Sequence, residues 1–201
     1  MILQKPFNNY FLSNEIKKIY FSDIKIKSIF SGKNIEISGD GTYSLNNLDF
    51  FKIDFSNKFR QGINDLNLNF DFKEKFKIDF INYEKSNNSL VNLNLSLQKK
   101  INSTNIKKLR YVDKKDLIEV NDLKFQSDKF LSFKKILVKT SNNDFVVEND
   151  KKILIIGNRF DATNIFKFFN IDADKSTFNK FNSEIEIDFK SIKFPLSEKL
   201  E

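Results

Sequence analysis

The residues of this chain that could perform acid–base chemistry are its paired carboxylates. Asp71 with Asp79, and Glu184 with Glu186, are the candidate pairs, because two nearby carboxylates can serve as general acid and general base. Both pairs fall on the polar positions of alternating segments, where water keeps a carboxylate charged. The chain contains no His, so it has neither the commonest general base nor the means to build a Ser-His-Asp triad. The sequence therefore predicts no enzyme activity and no catalytic residues.

A calcium site is suggested by spacing but is incomplete. Asp172, Asp174 and Ser176 stand at the first, third and fifth positions of a calcium-binding loop. That loop also needs Gly at the sixth position and Glu at the twelfth, where this chain has Thr177 and Ser183. Because Cys and His are both absent, zinc sites built from these residues are excluded as well. We therefore expect no bound metal.

The longest apolar run, 153–156, resembles the first strand of a dinucleotide-binding unit. Such a unit needs G-x-G-x-x-G at the end of the strand, but Gly157 is followed by Asn158, Arg159 and Phe160. The run is also far shorter than the roughly 20 residues that span a bilayer. The sequence predicts a buried strand that ends in a turn, and no cofactor.

The charge of the chain gives little reason to expect a nucleic-acid partner. The net charge is +7, but 34 Lys and Arg are interspersed with 27 Asp and Glu. Arg60, Arg110 and Arg159 are the only arginines, and Arg is the side chain that most often reads phosphates and bases. A solvated, lysine-rich surface explains the charge, so no nucleic-acid binding is expected.

The elements that must position these side chains are strands. Apolar and polar residues alternate strictly over 66–72, 76–80 and 91–97, and shorter alternating pairs continue from Ile24 to Phe194. A period of two places all apolar side chains on one face of a strand. We therefore predict a mostly β fold: an elongated, curved antiparallel sheet that forms a groove or open trough, within a single β-rich module over 1–201.

Two local signals refine this prediction. Asp40-Gly41 between two apolar pairs is typical of a hairpin turn. Asp161 is a good N-cap, and Ile165, Phe168 and Phe169 have helical spacing, so one short helix is predicted near 161–170.

The apolar faces allow two interpretations that periodicity alone does not separate. In the first, they are the core of a two-layer β sandwich. In the second, the sheet leaves them open as the wall of a trough, where burial of each methylene of an acyl chain is worth about 0.8 kcal/mol. The predicted lipid-contacting residues lie in the three alternating segments: Phe70, Phe72, Phe76, Ile78, Phe80, Leu93, Leu95 and Leu97.

Two stretches resemble the repeated segments of AsmA-like envelope proteins, of the YhdP and TamB type. One is 37–45, Ile-Ser-Gly-Asp-Gly-Thr-Tyr-Ser-Leu, and the other is 155–162, Ile-Ile-Gly-Asn-Arg-Phe-Asp-Ala. The resemblance implies a periplasmic, groove-shaped protein that carries phospholipids between the inner and outer membranes. Phospholipid acyl chains would then be the partner of this chain.

The chain departs from those proteins in lacking an N-terminal membrane anchor and in being much shorter. A fragment of a longer member of the family, or one part of a split polypeptide, would account for both differences. The alternative is a structural or protein-interaction module that pairs with another chain through its edge strands.

Overall fold

The computed structural model describes residues 18–86, 89–127, 129–164 and 184–194. Within these residues, one large curved sheet that does not close into a barrel is accompanied by a small two-stranded sheet. The strands in chain order are β1 (Tyr20–Ser31), β2 (Asn34–Ser44), β3 (Phe51–Arg60), β4 (Ile63–Phe72), β5 (Lys77–Ile78), β6 (Tyr83–Glu84), β7 (Val91–Lys100), β8 (Ser103–Asp113), β9 (Asp116–Gln126), β10 (Lys129–Ser132), β11 (Lys135–Lys139), β12 (Asp144–Asn149), β13 (Ile153–Asp161) and β14 (Ile185–Lys193). The prediction of a mostly β fold with a curved, open sheet is confirmed.

The large sheet is a meander in which neighbours along the chain are neighbours in space. Its order is β1-β2-β3-β4-β7-β8-β9-β11-β12-β13-β14, and β10 pairs with β9. Every pair is antiparallel, as predicted, except the last: β14 runs parallel to β13. The sheet is therefore mixed, because the chain enters β14 from the same end of the sheet as β13.

At one end of the sheet, which we call the turn end, tight turns join β1 to β2, β3 to β4 and β7 to β8. The turn between β3 and β4 consists of Gln61 and Gly62, with φ of 50° and 79°. Positive φ at both central residues is the type I′ pattern, whose twist matches that of the flanking strands. Gly62 adopts this backbone without the steric penalty that a Cβ brings.

The predicted hairpin at Asp40-Gly41 is wrong, since both residues lie inside β2. Gly41 is required in β2 for a different reason. β1 bulges between Ser22 and Lys25, and a Cβ on Gly41 would lie 2.7 Å from the Ile24 side chain and 2.9 Å from the Asp23 carbonyl oxygen. The close approach of the bulge, and not a turn, requires glycine at this position.

The alternating segment 76–80 predicts a strand, and this is confirmed only for Lys77 and Ile78. β5 covers only Lys77 and Ile78, and a 3-10 turn follows at Asp79–Ile81. Asn82, with φ of 46°, then reverses the chain into β6. β5, the turn and β6 form a small hairpin, which we call the cap hairpin.

Two predictions concern the end of β13 and the residues that follow it. The strand does not end at Gly157 but continues to Asp161, and a Cβ on Gly157 would lie 2.4 Å from Cβ of Phe145. The predicted helix near 161–170 lies mostly outside the described residues, as does the calcium-type spacing at 172–176. Asp161 does accept a hydrogen bond from the Thr163 backbone N–H at 3.1 Å, the bond that an N-cap residue makes.

Candidate functional site on the apolar face of the sheet

The register of the large sheet joins residues from eleven of its strands into one continuous row, which we call the central row. Its members are apolar side chains except at Gly39, where the Phe55 ring fills the space of a side chain. Each member is the direct cross-strand partner of the next, so all of them lie on the same face, the apolar face. The central row is Ile26, Gly39, Phe55, Leu68, Leu95, Leu109, Val120, Ile136, Val147, Ile155 and Ile187. It crosses eleven strands, or ten strand spacings of about 4.8 Å, and so extends roughly 48 Å.

The central row is neither buried nor fully exposed. Its nine interior members are half-buried, while Ile26 and Ile187 at the two edges are 58% and 59% exposed. Among the residues that the structure describes, no second large sheet lies over this face. The two-layer sandwich, in which these side chains would be sealed, is not what the described residues form.

One end of the apolar face is closed, and we call it the capped end. The residues between β4 and β7 leave the sheet there, and the cap hairpin packs Ile81 and Tyr83 onto the face. These two side chains join the buried cluster of the protein: Ile81, Tyr83, Val91, Tyr111, Ile118, Val138 and Phe145. The core therefore lies under the cap hairpin, beside the central row.

Buried hydrogen bonds fix the cap hairpin to the sheet. The hydroxyls of Tyr83 and Tyr111 are 2.8 Å apart in the core, and Asn143 Nδ2 donates to the Ile81 carbonyl at 2.8 Å. Burial raises the pKa of both tyrosines, that of Tyr111 to about 12, so both hydroxyls stay neutral and able to donate. Because these buried polar groups have hydrogen-bond partners, they favour one position of the cap hairpin on the sheet.

Asp161, at the end of β13, connects the cap hairpin to the last strand of the sheet, β14. Its Oδ2 accepts from Asn82 Nδ2 at 3.1 Å and lies 3.3 Å from Lys193 Nζ, while its own N–H donates to Asn143 at 2.9 Å. Burial alone raises the pKa of this carboxyl, but the hydrogen bonds from Thr163, Asn82 and Lys193 outweigh burial and lower the pKa to about 2. The carboxylate is therefore charged at every physiological pH.

Lys85 is a buried cation just after the cap hairpin. Its Nζ donates to the carbonyls of Lys73 at 2.8 Å and Ser86 at 3.1 Å, and it lies 5.8 Å from the centre of the Phe72 ring. Burial lowers the pKa of its ammonium group. With carbonyl oxygens and an aromatic face as its neighbours, Lys85 holds the segment in place and offers no acid–base chemistry to a ligand.

The opposite face of the sheet is mostly polar. Asn92 Nδ2 donates to Asn69 and Asp71, both at 2.9 Å, and Lys107 pairs with Asp65 at 2.8 Å. Across β11 to β13 this pattern changes, because Leu137, Val146 and Ile156 are cross-strand partners on that face. They line a shallow depression of about 390 Å³. From β3 to β7 the two faces therefore differ in polarity, whereas from β11 to β13 both carry apolar side chains.

The predicted lipid-contacting residues separate into two groups. Phe70, Leu93, Leu95 and Leu97 lie on the apolar face, half-buried, in the adjacent strands β4 and β7. The others lie at the capped end: Phe72, Phe76 and Ile78 pack against the buried cluster, and Phe80 is in the 3-10 turn. The second group belongs to the core and its cap.

Sequence reasoning missed the larger part of the apolar face. Leu109, Val120, Ile136 and Val147 extend it across β8 to β12. Alternation at these positions is visible in the sequence, but only the pairing register shows that they continue the row of Leu68 and Leu95.

Of the carboxylate pairs considered for catalysis, Asp71 and Asp79 lie on different parts of the fold, whereas Glu186 and, more weakly, Glu184 both raise the pKa of Lys152. Asp71 accepts a hydrogen bond from Asn92 on the polar face, whereas Asp79 is exposed in the 3-10 turn. Glu186 pairs with Lys152, and Glu184 is exposed before β14. Among the described residues, no three His, Cys, Asp or Glu side chains are grouped as metal ligands.

Comparison of the chain with protein-family models, with curated proteins and with solved structures gave no match. The described part of the chain contains no helix with the length and apolar character needed to cross a bilayer.

Proposed function

We propose that this chain is a non-enzymatic β-sheet segment that binds the acyl chains of phospholipids on its apolar face. The observation that carries the proposal is the central row, a line of apolar residues across eleven strands that is half-buried at its nine interior positions. Its length of about 48 Å exceeds the span of one membrane leaflet, which is about half of a 30 Å hydrocarbon core. Each methylene that leaves water on such a surface contributes about 0.8 kcal/mol, with no need for a specific polar contact.

The resemblance to AsmA-like envelope proteins supports a role in phospholipid transport between the inner and outer membranes. We therefore propose a periplasmic location, with this chain as part of a longer or split polypeptide. Fractionation of cells into cytoplasm, periplasm and membranes, followed by detection of the chain, tests the location. Recovery in the cytoplasm would contradict it.

Acyl-chain binding can be tested by fluorescence, because the chain contains no Trp. We would introduce Leu95→Trp on the apolar face and, as the matched control, Asn94→Trp on the opposite face of the same strand. Phosphatidylcholine vesicles with brominated acyl chains should quench the first variant strongly and the second little. Leu109→Trp is a second position on the central row.

Equal quenching of the variants on both faces, or none on either, would contradict the proposal. Far-UV circular dichroism of each variant shows whether the sheet has formed, so that a failure to fold is not taken for a failure to bind.

The second candidate function is a structural module that pairs with another chain through its edges. Two observations favour it: β1 and β14 each have one side with no described partner strand, and both carry exposed large apolar residues, such as Ile26 and Ile187. Such edges are templates for a further strand.

A further inference from the structure

The two edge strands of the large sheet run in opposite directions. β1 begins at the capped end, whereas β14 ends there, where Lys193 lies beside Asp161. If a second copy continues the sheet in the same orientation, its β1 lies antiparallel to β14 of the first copy. Antiparallel pairing with the apolar faces aligned is therefore the arrangement that the strand directions allow.

The register of this pairing follows from the central row. Ile26 begins the row on β1 and Ile187 ends it on β14. When the row continues from one copy to the next, Ile187 lies opposite Ile26. The exposed apolar side chains at the two edges then cover each other, and the apolar face becomes continuous across both copies.

The same register brings opposite charges together on the polar face. With Ile187 opposite Ile26, antiparallel pairing places Glu186 opposite Lys27 and Asp188 opposite Lys25. All four of these charged residues are exposed. Within one chain Glu186 also pairs with Lys152, but these two side chains are about half exposed, at 51% and 43%, so Glu186 remains accessible.

We propose that the partner of these edges is a second copy of this chain, with β14 of one copy paired antiparallel with β1 of the next. The inference rests on the second candidate function above and is independent of acyl-chain binding. The interface joins two different surfaces, so each copy keeps one free β1 or β14 edge after a contact forms. Such head-to-tail contacts continue into an open chain of copies, or into a ring if the curvature closes.

Charge reversal tests the pairing. Lys25→Glu with Lys27→Glu gives a copy with two acidic edges, and Glu186→Lys with Asp188→Lys gives a copy with two basic edges. Sedimentation over a concentration series should show assembly of the wild type and a monomer for each variant alone. Mixing the two variants restores opposite charges at both contacts, so assembly should return.

The matched control is Lys52→Glu with Lys124→Glu. It makes the same change in net charge as the Lys25, Lys27 variant, but on exposed positions of β3 and β9, away from the edges. It should assemble like the wild type. A wild type that stays monomeric at all concentrations would overturn the proposal. Assembly of both edge variants without mixing would overturn it as well.

Cysteine cross-linking tests the register, because the chain has no native Cys. Ile26→Cys with Ile187→Cys should give a ladder of disulfide-linked copies on mild oxidation. In the control, Ile29→Cys with Ile187→Cys, position 29 lies on the other face of β1, so no ladder should form.

Other cross-linking outcomes would exclude the head-to-tail contact. Dimers from Ile26→Cys alone would show that two β1 strands pair with each other. A disulfide within one copy would show that the sheet closes on itself. Quenching by brominated lipid, measured on the same charge variants with Leu95→Trp added, remains a separate readout because the charge substitutions lie on the polar face.

Discussion

At the scale of single residues, the Asp161 carboxylate connects three parts of the fold: the cap hairpin, the end of β13 and the end of β14. Its side chain is 2% exposed, and the cations and donors around it come from Lys193, Asn82 and Thr163. A carboxyl group with these partners stabilises the fold only as long as it is ionised.

We expect the stability of the protein to fall between about pH 5 and pH 2 in part because of Asp161. The folded-state pKa of about 2 lies below the ordinary value of 3.8, so the contribution is complete above the ordinary pKa and is lost as pH falls through the folded pKa. This difference corresponds to about 2 kcal/mol in the free energy of unfolding. Guanidinium unfolding at a series of pH values should show a weaker pH dependence for Asp161→Asn.

The control for this measurement is Asp54→Asn, an exposed carboxylate that accepts one hydrogen bond from Asn69. It should keep the pH dependence of the wild type. An Asp161→Asn variant with an unchanged pH profile would show that the carboxylate is not a stabilising charge.

The buried hydroxyl pair of Tyr83 and Tyr111 allows a double-mutant cycle. Tyr83→Phe leaves the Tyr111 hydroxyl in the core without this partner, which should cost about 1–3 kcal/mol. Tyr111→Phe removes the same bond from Tyr83, whose hydroxyl also hydrogen-bonds Asp116, so its cost should be smaller. Because the double variant removes both hydroxyls, we expect it to be more stable than the sum of the single effects implies. Strict additivity in urea unfolding would contradict a direct interaction.

At the scale of elements, the cap hairpin contributes the side chains that complete the core. Ile81 is 4% exposed and packs within the cluster that includes Val91 and Ile118. Ile81→Ala should lower the free energy of unfolding by about 2–5 kcal/mol, the range for large-to-small changes in cores. The exposed Leu90 provides the control, since Leu90→Ala should change the stability by about 0.5 kcal/mol or less. Chemical denaturation compares the two, and a similar loss in both would mean that the cap is not part of the core.

The sequence predicted the strands and the curved, open sheet, but not the pairing register or the cap hairpin, for physical reasons. The alternation over 66–72 and 91–97 is long enough to place β4 and β7, whereas 76–80 is too short to separate a strand from a hairpin that presents Ile78 and Ile81 to a core. The role of Gly41 was misread because the cause lies in another strand, at Asp23 and Ile24 of β1. Pairing register, and with it the central row, is a property of several strands together and is not present in any one segment.

The candidate site was predicted in part for the same reason. Phe70, Leu93, Leu95 and Leu97 were found because they belong to the longest alternating segments. Leu109 and Val120 lie on the same face but in strands whose own pattern is interrupted, β8 by a bulge opposite Ser96 and Leu97.

At the scale of the whole molecule, burial is unevenly distributed across the sheet. The buried cluster draws on β6 to β12, whereas no residue of β1 is buried. Strands with few buried contacts open with a smaller free energy than strands of the core. We therefore expect amide hydrogens of β1 and β2 to exchange faster than those of β8, β9 and β11. Hydrogen exchange followed by mass spectrometry measures this gradient, and uniform protection from β1 to β12 would contradict it.

The cap hairpin has one further consequence, which concerns direction. Since it blocks the middle of the apolar face at one extremity and leaves the other free, a long flexible guest lying parallel to the central strands has room for its hydrophilic group only at the free extremity. Such a guest would stop tail first against the cap hairpin, with its hydrophilic group protruding past the tight turns. Every bound molecule would then point the same way, whether it entered along the strands or from above the uncovered face.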